Sequence, residues 1–203
     1  LGIDLGFDSH RNRKGQQYIL DSKTRIPATT SRTLTDLASG LYKEEPSEYS
    51  EILRKVELGP NDFDIYCSWS DESYTRNCIV DNEKFELILL CWEKGQKTPI
   101  HDHGGEECWV KVIEGEFRET IYTKNCEGVL SEVKSAISKS NDITYMVDFM
   151  GFHSLENVSD KRSLSLHLYA KPIRSCNIYI EDSKEFVKKD LIYDTLSKIK
   201  LNI

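Results

Sequence analysis

The sequence predicts a mainly β domain, a barrel or sandwich of short strands, preceded by a short α-helical arm. Three observations carry that expectation. Beyond residue 60, short runs rich in β-branched and aromatic residues recur between turn signals at roughly ten-residue spacing. Between residues 31 and 60, apolar side chains recur at intervals of three and four, the period of an amphipathic helix. The chain has 203 residues and no internal repeat, low-complexity tract or Pro/Gly-rich linker, so it reads as a single domain.

Residues 1–30 are polar and aperiodic, with scattered Arg and Lys, and read as an extended or poorly ordered arm. Thr33 is placed to cap a first helix, whose apolar face is Leu34, Leu37, Leu41 and Tyr42. Pro46-Ser47 restarts the pattern, and Tyr49, Ile52, Leu53 and Val56 give a second helix. Both are expected to pack on the barrel within 31–60. Gly59-Pro60-Asn61-Asp62 then breaks the helical register. The barrel occupies 61–203, with strands expected at 78–80, 85–92, 108–113, 117–122, 144–147, 164–169 and 177–180. Residues 189–193 suit a last strand or a short helix equally.

Composition narrows the partners. Lys and Arg total 27 against 34 Asp and Glu, a formal net charge of −7, which argues against nucleic acid and anionic membrane surfaces. No stretch approaches the roughly 18–20 apolar residues of a membrane span. Nor is there a basic flank followed by an apolar run, the mark of a secretory signal. A cytoplasmic monomer acting on a small molecule is the expectation. The six cysteines (Cys67, Cys78, Cys91, Cys108, Cys126 and Cys176) contain no Cys-x-x-Cys pair, and most are expected to be free thiols. Cys91, inside the apolar run 85–92, reads as a small buried hydrophobe. Cys108 has different neighbours.

Those neighbours are histidines. His101-Asp102-His103 places two imidazoles at i and i+2, on one face of an extended strand, where both can reach one metal. His153, from a distant strand, is the third candidate ligand. Imidazole suits Zn, Cu, Ni and Fe, so ligand type alone does not choose among them. Three fixed ligands would leave open positions for catalysis. Strand parity puts Cys108, Val110 and Val112 on the inward face, so Glu107 points outward.

The spacing Gly95-x5-His101-x-His103-x4-Cys108-x6-Gly115 resembles the first motif of the cupin family. Cys108 stands there in the place of the usual Glu ligand. His153-x3-Asn157 resembles the second cupin motif, with Gly151 one place closer to His153 than the general pattern. The resemblance implies a cupin, a jelly-roll-like β-barrel.

A more specific likeness follows. Tyr74-Thr75-Arg76-Asn77, Leu89-Leu90-Cys91-Trp92, Ile100-His101-Asp102-His103, His153-Ser154-Leu155-Glu156-Asn157-Val158-Ser159 and Ser165-Leu166-His167-Leu168-Tyr169 resemble the cysteine dioxygenase family, in its order, from about residue 31 to 195. The resemblance implies one Fe(II) per chain, held by His101, His103 and His153. It implies addition of both atoms of O2, the co-substrate, to the thiol of L-cysteine, giving cysteine sulfinate. Arg76 would hold the substrate carboxylate, assisted by Tyr74. His167 and Tyr169 would line the pocket, and Cys108 and Tyr169 would be joined by a thioether bond. An Arg suits the first role because its planar fork donates bidentate hydrogen bonds to a carboxylate.

The family commonly continues after this tyrosine with Ser-Pro-Pro. Here Ala170-Lys171-Pro172 follows, and without the first proline a trans peptide is expected. Two other functions compete. One is dioxygenation of 3-mercaptopropionate or a cysteamine-like thiol; Arg76 speaks against a substrate lacking a carboxylate. The other is a non-catalytic metal- or ligand-binding cupin or redox sensor.

Overall fold

The computed structural model describes residues 31–196; the expected arm at 1–30 lies outside the described residues. Thr33, in an extended conformation, accepts the Asp36 N–H at 3.0 Å and opens α1 (Leu34–Lys43). Leu34, Leu37, Ala38 and Leu41 form its buried stripe. A 3-10 turn at Pro46–Glu48 leads into α2 (Tyr49–Arg54), which buries Tyr49, Ile52 and Leu53. Val56 lies past the end of α2 yet stays buried, so the helix is shorter than its apolar pattern. Where the sequence reads only a break, Pro60–Tyr66 form a 3-10 helix. Its start is satisfied by the Asp62 carboxylate, which accepts the Gly59 N–H at 2.8 Å.

Eleven strands follow among the described residues: β1 (Thr75–Asp81), β2 (Glu86–Trp92), β3 (Glu107–Glu114), β4 (Glu116–Lys124), β5 (Leu130–Lys139), β6 (Ile143–Met146), β7 (Phe152–Asn157), β8 (Ser163–Ala170), β9 (Ser175–Ile180), β10 (Glu185–Asp190) and β11 (Thr195–Leu196). Every expected run up to 177–180 overlaps one of them. β5 and β11 match no expected run, β7 is the distant strand expected to carry His153, and β10 resolves the ambiguity at 189–193 only in part, since the strand ends at Asp190. β5 escapes a hydrophobicity reading because nearly all its side chains are exposed; backbone pairing with β4 holds it instead.

One sheet runs β11-β1-β2-β8-β3-β6, and β5-β4-β7 and β10-β9 form two smaller ones. The segment 97–101 ties the small sheets together: Lys97 bridges Glu156, while His101 bridges both His153 and Ile178. The result is two facing layers of jelly-roll type rather than a sheet closed on itself. Two glycine corners make the change of layer. Gly115 (φ +94°) passes the chain from β3 to β4, and Gly151 (φ +111°) carries it into β7. A Cβ would fall 2.0 Å from Ser163 Oγ at the first and 2.3 Å from the Tyr122 carbonyl oxygen at the second.

The six-stranded sheet is apolar on both faces. Leu87, Leu89, Leu166 and Leu168 pack against α1 and α2, while Ile88, Leu90, Trp92, Val110 and Val112 face the space between the layers. That is why β2 reads as an apolar run after Glu86: all seven of its residues are buried. After β8 the Ala170–Lys171 peptide bond is cis, which corrects the trans expectation. No helix of the described residues is long and apolar enough to cross a membrane. All six cysteines are free thiols.

Candidate metal centre

His101 lies between β7 and β9. Its N–H donates to the His153 carbonyl at 2.9 Å and its carbonyl accepts the His153 N–H at 3.0 Å. Directly paired residues have neighbouring side chains, so the register itself sets these two imidazoles together. His101 is an isolated bridge residue and His103 lies in the turn beyond it, which corrects the expectation of both on one strand. Two carboxylates hold that turn. Asp148 accepts the N–H groups of His103 at 2.7 Å and Gly105 at 2.6 Å. Asp102 accepts the Gly104 N–H at 3.2 Å and two donors of Asn177, its N–H at 2.8 Å and Nδ2 at 2.6 Å.

The outcome is a triad of rings whose candidate ligand atoms lie within 4.8 Å of one another. Burial, then the neighbouring His153, pushes the His101 pKa down to about 3. Burial, then His153 and His101, holds His103 well below its usual range. Both are therefore neutral, the form that offers a lone pair to a metal. His101 Nδ1 lies 2.9 Å from the Pro99 carbonyl oxygen. A carbonyl only accepts, so Nδ1 carries the proton and Nε2 is the free donor. His153 Nε2 and both ring nitrogens of His103 are buried without a hydrogen-bond partner. An unsatisfied buried polar group costs about 1–3 kcal/mol, and one cation would satisfy His153 Nε2 together with one ring nitrogen of His103. The three residues fit a metal.

The same cavity is lined by Tyr74, Arg76, His167 and Tyr169, with Leu90 and Leu155 as apolar wall. The Arg76 backbone is fixed by Asp194, whose carboxylate accepts its N–H at 2.7 Å and whose own N–H reaches its carbonyl at 2.8 Å. Arg76 Nε donates to the Ile192 carbonyl at 3.3 Å, and Nη2 is buried with no partner. Burial opposes its charge, but Tyr169, Glu86 and Tyr74 outweigh that, so the guanidinium is held firmly protonated. The Tyr74 ring stacks on Trp92 at 4.5 Å between centroids. A second cavity shares Tyr74, Arg76, His101 and Tyr169 and extends to Cys176, Lys189 and Leu191.

Cys108 and Tyr169 are direct register partners on β3 and β8, and both are buried. Burial, then Cys108, raises Tyr169 well above its usual range, so the phenol keeps its proton. Glu107 lines neither cavity and accepts a hydrogen bond from the Tyr145 hydroxyl at 2.6 Å, matching its outward parity.

Three residues escaped the sequence reading. The Ser165 hydroxyl accepts from Trp92 Nε1 at 2.9 Å and lies 2.9 Å from His167 Nε2. Glu119 contacts His153 Nδ1 at 2.7 Å. Glu86 is fully buried, with Oε2 unpartnered. Parity was the available signal for each: Ser165 alternates with His167 and Tyr169, Glu119 with Phe117, and Glu86 with Ile88 and Leu90.

A two-layer β fold that gathers three histidines and a half-buried arginine around one cavity defines a class, the three-histidine metalloproteins of the cupin type. Within that class the chain belongs to the cysteine dioxygenase type I family, whose model matches residues 18–182. It is 32% identical over 165 residues to cysteine dioxygenase type 1 of Bos taurus, covering 76% of this chain and 82% of that protein. Identity to the Danio rerio protein of the same description is 31% over 158 residues, 72% of this chain and 79% of the relative. The Homo sapiens protein gives 31% over 158 residues, 73% of this chain and 79% of the relative.

Proposed function

We propose that this protein is a thiol dioxygenase that converts L-cysteine to cysteine sulfinate. The observation that carries the reading is the sharing of one cavity by three metal-competent histidines and the half-buried Arg76, in a chain of this family. Fe(II) bound by His101, His103 and His153 would supply the redox chemistry with O2. The reaction balances without another reductant: RSH and O2 give RSO2H, with both oxygen atoms on sulfur. That product is the second rung of thiol oxidation, normally not reversed.

The chain's own residues supply recognition. Arg76 presents an unpartnered Nη2 to the cavity and would pair with the substrate carboxylate, with the Tyr74 hydroxyl beside it. His167, buried, sits in line with Ser165, a neutral relay at the edge of the substrate space. Tyr169 keeps its proton and can donate a hydrogen bond to the substrate carboxylate. Cys108 and Tyr169 would become linked by a thioether, a step that removes two hydrogens, with O2 as the acceptor. Cysteines without a disulfide among them agree with a reducing compartment, and we place the protein in the cytoplasm.

Oxygen uptake by the Fe(II)-loaded protein, measured with L-cysteine, 3-mercaptopropionate and cysteamine and with products identified by mass, tests the reading. Uptake is expected with L-cysteine, one O2 per thiol. Uptake with cysteamine alone would sink the role of Arg76, and no uptake with any thiol would leave a non-catalytic cupin.

A further inference from the structure

The three histidines differ in what stands behind them. His101 turns Nδ1 to a neutral carbonyl, that of Pro99, at 2.9 Å. Neither ring nitrogen of His103 has a hydrogen-bond partner. His153 alone turns Nδ1 to a carboxylate, Glu119 Oε1, at 2.7 Å. The side chains are 3% and 10% exposed, so the contact is shielded from water.

Glu119 lies on β4 two residues before Ile121, which is the register partner of His153. The contact therefore runs diagonally across the β4–β7 pair on its inward face, within reach of a long side chain. A glutamate is rarely buried unless paired. Among the described residues the only side chain joined to Glu119 by a hydrogen bond or ion pair is His153. No Lys or Arg neutralises it, so its burial is explained by the imidazole and by what the imidazole faces.

We propose that Glu119 is a positioning residue of the metal centre: it accepts the Nδ1–H of His153, fixes that ring, and leaves Nε2 as the ligating atom. The chemistry is general. A ligating imidazole whose second nitrogen donates to a carboxylate has a defined tautomer and orientation and is a stronger donor. The buried, partnerless Nε2 of His153 is the atom that this arrangement leaves free. Glu119 thus brings a carboxylate to a centre whose three protein ligands are imidazoles, one hydrogen bond removed from the metal sphere. The inference rests on the metal-centre reading but not on the reaction assigned to it.

The test uses the full chain loaded with Zn(II) or Co(II). Long-range proton–nitrogen NMR of the zinc form should show His153 protonated at Nδ1 and metal-bound at Nε2. Chelator competition with Co(II) should show roughly 10–100-fold weaker binding in Glu119→Leu. Glu119→Gln keeps an acceptor for the Nδ1–H and should restore both the affinity and the Co(II) visible bands. Metal bound at Nδ1 of His153 overturns the proposal, and so does a Leu variant with wild-type affinity and bands. If the Leu variant does not fold, the wild-type tautomer decides alone. A protein that binds neither metal overturns the metal-centre reading and this proposal together. A protein that binds metal through the stated tautomer but consumes no O2 with cysteine overturns only the reaction.

Discussion

At Cys108 and Tyr169, two buried side chains face each other across a strand pair, one carrying a thiol and the other a phenol. Their joining would make intact protein lighter by about two hydrogens, a covalent change that mass spectrometry resolves. The lighter species should be absent from Cys108→Ser; finding it there would rule the pairing out. Arg76 is the other residue on which the reading turns. Arg76→Ala should weaken L-cysteine binding by about 2–5 kcal/mol, the cost of truncating one partner of a buried charge pair. The loss should appear mainly in KM, and an unchanged KM would remove Arg76 from substrate recognition. Cys108 was legible in the sequence from the cupin motif spacing, and Tyr169 and Arg76 from the family resemblance. Glu119 was legible only as an inward position by its parity with Phe117, since nothing along the chain shows the histidine it meets across the sheet.

Among the elements, β7 shows what a strand made of site residues looks like. His153, Leu155 and Asn157 point inward, so its buried face has one apolar side chain among polar ones and its hydrophobic signature is weak. Its position comes from pairing with β4 and from the corner before it. Gly151→Ala would force a side chain into positive φ and against the Tyr122 carbonyl, at a cost of at least 1–3 kcal/mol, roughly that of strained backbone. The denaturation midpoint should fall and Co(II) affinity with it, because His153 follows two residues later; an unaltered midpoint would show that the corner can relax. Thr33→Ala is the contrasting case. It removes the α1 cap and should cost about 1 kcal/mol, with metal affinity untouched, because α1 packs on the outer face of the sheet. The helices were legible from apolar spacing and a capping residue. β5 was not, because pairing with β4 rather than burial makes it a strand.

For the molecule as a whole, Glu86 joins distant parts of the chain. Its Oε1 accepts from Arg174 Nη1 at 3.3 Å and from the Tyr193 hydroxyl, while Arg174 Nη2 also reaches Asp81 at 2.7 Å. Burial raises the Glu86 pKa from 4.5 to about 7, against the opposing charges of Arg76 and Arg174. A folded-state carboxyl with a raised pKa holds its proton more tightly than the unfolded chain does. Stability should therefore fall as pH rises from about 4.5 to about 7 and level off above that, by about 3 kcal/mol in total. Glu86→Gln abolishes this titration. Its stability relative to wild type, from urea unfolding, should improve across that window; a difference independent of pH would mean that Glu86 ionises normally in the folded protein.

Local pattern determined much of this protein. Periods of two and of three to four mark the strands and helices, parity turns Cys108 inward and Glu107 outward, motif spacing picks out the histidines, and the family resemblance adds Arg76. These are properties of neighbours along the chain, and a sequence displays them directly. Only the tertiary structure decided that the strands form two open layers, that His101 pairs with His153 as a bridge residue, and that Glu119, Ser165 and Glu86 stand behind the ligands and the cavity. Each of those facts depends on which strand lies beside which and in what register. Register is set by long-range backbone pairing, and a buried polar side chain acquires its role from a partner dozens of residues away.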